Sequence, residues 1–398
     1  MSRVRELAPA VPDDAPGLAP LLGADADRCA TALGALATLP LARALVVRNR
    51  GRPVGYLELH AVAGAARGWE ARIMTLALDP ADSPVRAGRM LVAAAEVEVA
   101  LLGCERLVLE PGAASPDALE LAPAIGLEPG PEGEPSGRTV RFGLNGSPVE
   151  RFLRRAASGA ADVLGLVGAG ADDDSLADPH GGTLDQAADD AMLSHLEPLG
   201  LPVLSEESGL TGRPPGPDEY WISLDPVDGT RNCVSRYTPW ATAAGLLRGS
   251  RPVAGIVVDL SCGRRWLAAP NLGARVDGFV PRPRSGGLLV LPSTAPHRLR
   301  AIPEASGFTR IRLAGATSVD LCRVADGSAS GFVDLERAIA QPHDIAASMA
   351  VVRAAGATVL DEHGRTPRID LDPDRHYRLV AAATEPEARA LLANASRG

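Results

Sequence analysis

Apolar and polar positions recur along the chain in ways that predict a succession of strands and helices. Apolar runs at 44–48 and 54–59 flank a turn-forming segment, so we predict a hairpin, with a third strand at 71–78. An Ala-rich segment from about 86 to 102 predicts a long helix, and a strand follows it at 106–110. This alternation is typical of a mixed α/β domain.

Turn-forming residues separate this region from the rest of the chain. The segment 128–135 is rich in Pro, Gly and Glu, and the cluster Asn145-Gly146-Ser147-Pro148 follows a predicted strand at 138–144. We therefore predict a fold of the α/β and α+β two-domain class. Its parts are a first domain at residues 1–144, a linker at 145–149 and a second domain at 150–398.

Composition mainly excludes classes of function. A content of 46% hydrophobic residues in 398 is enough for two cores, and no apolar run reaches the roughly eighteen residues of a membrane span, so we expect no membrane contact and a cytoplasmic location. The net charge of -9 argues against nucleic-acid binding. Lysine is absent, which excludes P-loop and Schiff-base lysines, and the five cysteines are too scattered for a disulfide framework or a zinc site.

The order of elements in the first domain resembles that of a GNAT-type acetyltransferase. In that family a loop before the long helix binds the pyrophosphate of acetyl-CoA through backbone N–H groups, with the pattern Arg/Gln-x-x-Gly-x-Gly/Ala. Here Gly88 matches, whereas Val85 and Met90 replace the first and last residues of the pattern. The resemblance implies a degenerate GNAT-like mixed sheet with helices, with Gly88 as the candidate acetyl-CoA-binding residue.

The strongest chemical signal is the segment from Trp221 to Asn232. An apolar strand ends there in two carboxylates, Asp225 and Asp228, with one Pro between them and Gly229-Thr230 directly after. Two carboxylates this close repel each other unless a cation lies between them, which favours a site for a hard metal ion. The backbone amides of Asp228, Gly229 and Thr230 could bind phosphate oxygens. The alternative is a polar turn with both acids in solvent.

Three other acidic residues are ambiguous when each is taken alone. Glu206 follows the apolar strand 202–204 and could be a solvated surface residue. Asp185 opens a helical run and could be its N-cap, and Asp344 could cap the Ala-rich helix that it precedes.

Together and in this order, these segments resemble the inositol monophosphatase family. Its pattern is Thr-x-x-Asp, then Gly-Glu-Glu, then Asp-Pro-Ile-Asp-Gly-Thr-x-Asn-Phe, then Trp-Asp-x-Ala-Ala-Gly, and the resemblance spans about residues 150–392. It implies a layered α-β-α-β-α sandwich that hydrolyses a small phosphorylated metabolite, a phosphomonoester, with two or three Mg²⁺ ions.

The resemblance also implies a role for individual residues. The metal ligands would be Glu206, Asp225, Asp228, Asp344 and the backbone carbonyl of Val227. Asp185 and Thr230 would orient and deprotonate the attacking water, and the amides of Asp228, Gly229 and Thr230 would bind the phosphate. A homodimer is expected from the resemblance alone.

The chain departs from the family pattern without losing a carboxylate. Gly182 occupies the position of the threonine before Asp185, Cys233 that of the Phe, and Ser348 that of the last Gly. His343 replaces the Trp before Asp344, and we interpret it as a partly exposed substitute rather than a ligand, because magnesium favours oxygen.

The substrate remains open at this stage. Segments near Tyr237 and Gly263 resemble the histidinol-phosphatase branch, whereas 331–335 resembles the branch acting on inositol phosphates and sugar bisphosphates. In that branch the acid matching Asp334 contacts substrate hydroxyls, although Asp334 could equally be an exposed acid at a strand end. The competing functions are an acetyl-CoA-dependent N-acetyltransferase with a regulatory phosphatase-like domain, and a non-catalytic sensor of a phosphorylated metabolite.

Overall fold

The computed structural model describes residues 5–37, 39, 42–63, 69–101, 104, 106–110, 112–128, 136–139, 147–169, 182–270, 272–277, 280–292, 308–335 and 338–395. The chain divides into two compact units, Met1–Asn145 and Gly146–Gly398, here called unit 1 and unit 2. Among the described residues, none of the helices combines the length and the apolar character needed to cross a lipid bilayer.

Unit 1 contains, in chain order, β1 (Arg5–Pro9), a 3-10 turn (Pro12–Asp14), α1 (Ala15–Leu22), α2 (Ala26–Leu36), β2 (Ala42–Asn49), β3 (Arg52–Ala63), β4 (Trp69–Leu78), α3 (Pro84–Leu101), β5 (Arg106–Leu109), α4 (Pro116–Glu120), α5 (Ala122–Ile125) and β6 (Ser136–Thr139). The six strands form one sheet in their chain order. The pair β4–β5 is parallel and its helix α3 forms the connection, whereas the other neighbouring strands are antiparallel. Part of the strand predicted at 138–144 lies outside the described residues.

The predicted hairpin is confirmed and its turn explains the register. Asn49 pairs with Arg52, and the two residues between them, Arg50 and Gly51, have φ angles of 53° and 80°. A two-residue turn with both φ angles positive matches the right-handed twist of the flanking strands.

Gly88 has a packing role in unit 1. It lies inside α3, and a Cβ atom at this position would be 2.6 Å from Cγ2 of Ile125 in α5. Glycine therefore lets the two helices approach closely. This packing explains why position 88 is a glycine, and no bound ligand is needed to explain it.

Unit 2 contains, in chain order, α6 (Pro148–Ala169), α7 (Gly182–Leu196), a 3-10 turn (Glu197–Leu199), β7 (Val203–Ser205), β8 (Gly209–Thr211), β9 (Tyr220–Asp228), α8 (Thr230–Val234), β10 (Ala241–Arg248), β11 (Arg251–Asp259), β12 (Arg265–Ala269), β13 (Gly273–Val276), β14 (Gly287–Leu291), β15 (Phe308–Leu313), α9 (Thr317–Asp326), β16 (Gly331–Asp334), α10 (Pro342–Ala354), β17 (Thr358–Asp361), β18 (Leu379–Ala382) and α11 (Glu385–Ala395).

The start of α6 corrects the predicted linker at 145–149, because the helix already begins at Pro148. Proline is favoured in the first helical turn, where its missing N–H would have no partner inside the helix. The Glu150 N–H donates to the Ser147 hydroxyl at 3.2 Å, so a side chain caps this end.

In the described part of unit 2, two sheets pack with three groups of helices. The larger sheet has the order β13-β12-β11-β10-β9-β7-β8 and the smaller one β15-β14-β16-β18-β17. Helices α6 and α7 contact the larger sheet, α9 and α10 contact both sheets, and α11 contacts the smaller one. The main core surrounds α10, with Ile345, Met349 and Val352 buried among residues of both sheets.

A pair of glycines lets α10 lie directly against the larger sheet. Gly245 of β10 and Gly255 of β11 are opposite each other in the sheet register. A Cβ atom on Gly245 would be 2.8 Å from the backbone N of Ala347, and one on Gly255 would be 2.4 Å from its backbone O. This contact fixes the height of α10 above the sheet, and α10 carries Asp344 in its first turn.

Candidate metal centre

An irregularity in β9 brings Asp225 and Asp228 to the same side of the sheet. Residues three apart on a regular strand point to opposite faces. Here Ala241 pairs with Asp228 and Ala243 with Asp225, so β9 has two residues, Pro226 and Val227, opposite one residue of β10. The extra residue of this bulge restores a common face, and Pro226 is tolerated there because it has no N–H to pair.

Three carboxylates converge at this end of β9. Asp225, Asp228 and Asp344 each place one ligand atom within 4.8 Å of the others. Asp225 is fully buried, and neither of its oxygens accepts a hydrogen bond from any residue that the structure describes. A buried carboxylate with no donor is costly unless a cation compensates it.

Asp228 is held by the start of α9. Its Oδ1 accepts from the Thr317 N–H at 3.2 Å, and its Oδ2 accepts from the Ser318 N–H at 2.7 Å and the Ser318 hydroxyl at 2.5 Å. A carboxylate at a helix N-terminus also interacts favourably with the helix dipole. Asp228 is therefore fixed in orientation by a segment about ninety residues away in sequence.

Asp344 is fixed by its own helix. It is the third residue of α10, and its carboxylate accepts from the Gln341 N–H at 2.6 Å, as in a capping box. The suggestion that Asp344 might be the N-cap is wrong, because Gln341 occupies that position.

Glu206 lies in the turn between β7 and β8, and Asp189 of α7 holds that turn. The hydroxyls of Ser205 and Ser208 both donate to the fully buried Asp189 carboxylate, the first at 2.5 Å. The Glu206 side chain itself is 40% exposed and points toward the cluster, where its charge raises the pKa of Asp225 and of Asp344.

Desolvation raises the pKa values of Asp225, Asp228, Asp344 and Glu206, and repulsion between neighbouring acids adds to the shift. Desolvation, and then the charges of Glu206, Asp228 and Asp344, raise the pKa of Asp225 well above its usual range. Desolvation raises the pKa of Asp228 to about 6, although the donors at Ser318 and Thr317 oppose the shift. Desolvation and neighbouring acids raise the pKa of Glu206 to about 7.

These residues fit a hard divalent cation. The donor set is dominated by carboxylate oxygens, which Mg²⁺ prefers. The unsatisfied oxygens of Asp225 and the raised pKa values are what a cluster built for positive charge shows in the absence of that charge.

The remaining predicted site residues border the cluster. Asp185 is buried in the first turn of α7, which begins at Gly182, so it is not the N-cap considered from the sequence. Its charge raises the pKa of Glu206 and of Cys233. The Thr230 hydroxyl donates to the Val227 carbonyl at 3.1 Å.

Gly229 cannot be replaced without strain. Its φ angle is +85°, and a Cβ atom there would lie 3.2 Å from both the Gly315 carbonyl and Ala316. The residue directly follows β9 and is the N-cap of α8, in a left-handed conformation. This permits the sharp turn that presents the amides after Asp228.

Asp334 is buried rather than exposed. It ends β16, is 3% exposed, and accepts from the Ile339 N–H at 3.1 Å. Its charge is one contribution, after desolvation and nearer groups, to the raised pKa of Asp344. His343 was also interpreted wrongly as partly exposed: it is 3% exposed, because the first turn of α10 packs into the core.

Sequence reasoning missed several supporting residues. Thr317 and Ser318 carry no recognisable motif, and only the fold places them beside Asp228. Asn232 was part of the motif but had no assigned role. Its side-chain amide donates to the carbonyls of Pro239 and Ala314, at 2.8 and 2.6 Å, and thereby links the loop after β9 to the start of α9.

We expect the metal-free protein to lose stability as pH rises from about 4.5 to about 7. In the folded state the pKa of Glu206 is about 7 against an ordinary 4.5, and that of Asp228 is about 6 against 3.8. The folded state therefore binds more protons than the unfolded chain over this interval, so stability falls with rising pH. Because cations bind deprotonated carboxylates, the rise in melting temperature caused by Mg²⁺ grows over the same interval.

Thermal unfolding at pH 5, 6 and 7, with EDTA or Mg²⁺, measures both trends. Glu206→Gln removes one of the titrating groups and is expected to flatten the metal-free profile. A metal-free melting temperature that rises steadily from pH 5 to 7, in the original chain and in the variant alike, would contradict the prediction.

Comparison with known proteins identifies a family for most of unit 2. Residues 172–397 match the inositol monophosphatase family. A protein of Thermococcus kodakarensis named fructose-1,6-bisphosphatase/inositol-1-monophosphatase is 32% identical over 205 residues, which are 51% of this chain and 77% of the relative. The fructose-1,6-bisphosphatase of Pyrococcus furiosus is 26% identical over 214 residues, 52% of this chain and 81% of that protein.

A solved structure shows the same fold. The inositol monophosphatase of Anabaena (Nostoc) is similar with a TM-score of 0.50 and 22% identity, over 62% of this chain and 95% of that one.

Proposed function

Since the chain belongs to the inositol monophosphatase family, whose members are phosphomonoester hydrolases, we propose that unit 2 hydrolyses a small phosphomonoester with Mg²⁺ held by Glu206, Asp225, Asp228, Asp344 and the Val227 carbonyl. The observation that carries this proposal is the convergence of three carboxylates within 4.8 Å around the unpaired oxygens of Asp225. Mg²⁺ at this position would supply positive charge to the phosphate and make the attacking water more acidic.

The chain's own residues complete the proposed reaction. The charge of Asp185 contributes to the raised pKa of Glu206. We propose that Asp185 accepts the proton of the attacking water. Thr230, already bonded to the Val227 carbonyl, orients that water. The backbone after Asp228, turned by Gly229, binds the phosphate oxygens through its amides.

For the substrate we propose a phosphate ester that also carries hydroxyls, such as an inositol phosphate or a sugar bisphosphate. The names of the relatives from Thermococcus and Pyrococcus support this class over histidinol phosphate. The family resemblance also gives the acid at the position of Asp334 a contact with substrate hydroxyls, and we assign Asp334 that contact.

A panel of phosphate esters tests the proposal. Fructose 1,6-bisphosphate, inositol 1-phosphate and histidinol phosphate are incubated with the full chain, with and without Mg²⁺, and free phosphate is measured. We expect Mg²⁺-dependent release that is fastest from one of the first two. Thermal stabilisation by acetyl-CoA together with no phosphate release would instead favour the acetyltransferase alternative.

For unit 1 we propose a degenerate GNAT-like domain. The support is the order of its described elements, in which the parallel strands β4 and β5 are joined by α3. A groove of about 570 Å³ at the start of that helix also supports it, and its mainly apolar lining includes Arg86 and Arg89. Two observations argue against acetyl transfer. Val85 and Met90 replace the first and last residues of the acetyl-CoA-binding pattern, and Gly88 packs against Ile125. A cytoplasmic location remains a proposal that rests on the sequence, and a homodimer remains a proposal that rests on the family resemblance.

A further inference from the structure

A buried histidine adjoins the metal centre. His343 is the second residue of α10, directly before Asp344, and its side chain is 3% exposed. Neither ring nitrogen has a hydrogen-bond partner among the residues that the structure describes. The Nε2 atom lies 3.8 Å from Oε2 of Glu206, so the ring is directed at an acid of the cluster.

This environment leaves the imidazole without an ordinary role. A distance of 3.8 Å is too long for a hydrogen bond. A buried polar group without a partner is destabilising, and each one in a folded protein calls for an explanation such as a catalytic role or a bound ion.

The chemistry of the His343 imidazole and the Glu206 carboxylate indicates that the partner is a metal ion. Neutral imidazole is a common metal ligand. Two donor atoms at roughly 2.0–2.2 Å from one ion are themselves about 3–4 Å apart, which is the separation of Nε2 and Oε2 here. The pair adjoins the carboxylate cluster, because His343 directly precedes Asp344, a member of that cluster, in the first turn of α10.

We propose that His343 Nε2 is a nitrogen ligand of the metal centre, paired with Glu206, and that it gives the centre a preference for first-row transition cations over Mg²⁺. The inference rests on the proposed function, since it needs a metal at the acidic cluster. Carboxylate oxygens suit Mg²⁺ and Mn²⁺ alike, whereas an imidazole nitrogen adds affinity chiefly for Co²⁺ and the later ions of the first transition series.

The experiment uses the full chain and two readouts that do not depend on catalysis. Pulsed electron paramagnetic resonance of the Mn²⁺-loaded protein detects a coordinated imidazole nitrogen directly, and calorimetry gives the Kd values of Mg²⁺ and Co²⁺. His343→Phe keeps a ring and removes both nitrogens, and His343→Gln provides a second variant in case the first does not fold. His363→Gln is the matched control, because His363 Nε2 lies 3.9 Å from Oε1 of Glu362 but the ring is 62% exposed.

We expect nitrogen modulation in the original chain and in His363→Gln, and none in either His343 variant. The Kd of Co²⁺ should rise about tenfold or more in His343→Phe, while that of Mg²⁺ changes by less than about threefold. Binding of Mg²⁺ and Mn²⁺ without nitrogen modulation in the original chain would overturn this inference and leave the proposed function intact. Absence of any metal binding would overturn both.

Discussion

Asp225→Asn abolishes Mg²⁺-dependent phosphate release and at the same time raises the melting temperature of the metal-free protein. The first effect follows because the variant lacks the central charge of the cluster. A contribution of several kcal/mol from the cation corresponds to a loss of about a thousandfold or more. The second follows because Asp225 is fully buried without a hydrogen-bond donor and is opposed by Glu206, Asp228 and Asp344. Asparagine removes that repulsion with little change of volume.

The two effects are measured as phosphate release with Mg²⁺ and as thermal unfolding in EDTA. Asp326→Asn is the matched control, since this acid accepts from Trp266 Nε1 and the Ser328 N–H, both at 2.8 Å, and pairs with Arg264 at 3.1 Å. There the same substitution should lower the melting temperature and retain activity. If Asp225→Asn lowers the melting temperature as Asp326→Asn does, the carboxylate is structural and the proposed metal centre is wrong.

Gly255→Ala lowers the free energy of unfolding by about 3 kcal/mol and impairs the metal centre without altering any of its ligands. The new Cβ would lie 2.4 Å from the Ala347 carbonyl oxygen and 2.8 Å from its Cα, both backbone atoms that cannot rotate away. Overpacking of this kind typically costs about 1–3 kcal/mol. We expect α10 to shift away from the sheet to relieve this clash, and the shift displaces Asp344 from Asp225 and Asp228.

Urea unfolding and Mg²⁺ calorimetry measure these two consequences. Gly165→Ala is the matched control, because Gly165 lies within α6 and a Cβ there meets no other atom within 4 Å. Alanine is favoured over glycine in helices by about 1 kcal/mol, so the control should be stabilised. Equal stability changes of the same sign in both variants would contradict the proposed contact between α10 and the sheet.

The acids of the site were predictable because they lie in short segments with a strong chemical pattern. Two carboxylates separated by Pro and Val, followed by Gly and Thr, form a pattern of adjacent residues. This pattern can be recognised without knowing how the chain packs. That Asp225 and Asp228 share one face was not predictable from spacing, since three residues normally place side chains on opposite faces. Only the bulge opposite β10 restores the common face.

The misjudged residues depend on partners that are distant in sequence. Gly88 matched a ligand-binding pattern, but its packing partner is Ile125, which the pattern does not contain. His343 was taken as partly exposed because its burial depends on the packing of α10 between two sheets. Ser318 reaches Asp228 only once α9 has been placed between these same sheets. Long-range packing of this kind leaves no mark in a local sequence window.

The hydrogen bonds of Asp228 limit what this residue can offer a cation. An ionised carboxylate has about four lone pairs for accepting bonds. At Asp228, three donors from Thr317 and Ser318 take three of these lone pairs, so about one would be left for a cation. Asp225 has no such donors, and both of its oxygens are available. Of the two acids in the motif, Asp225 would therefore offer a cation more free lone pairs than Asp228.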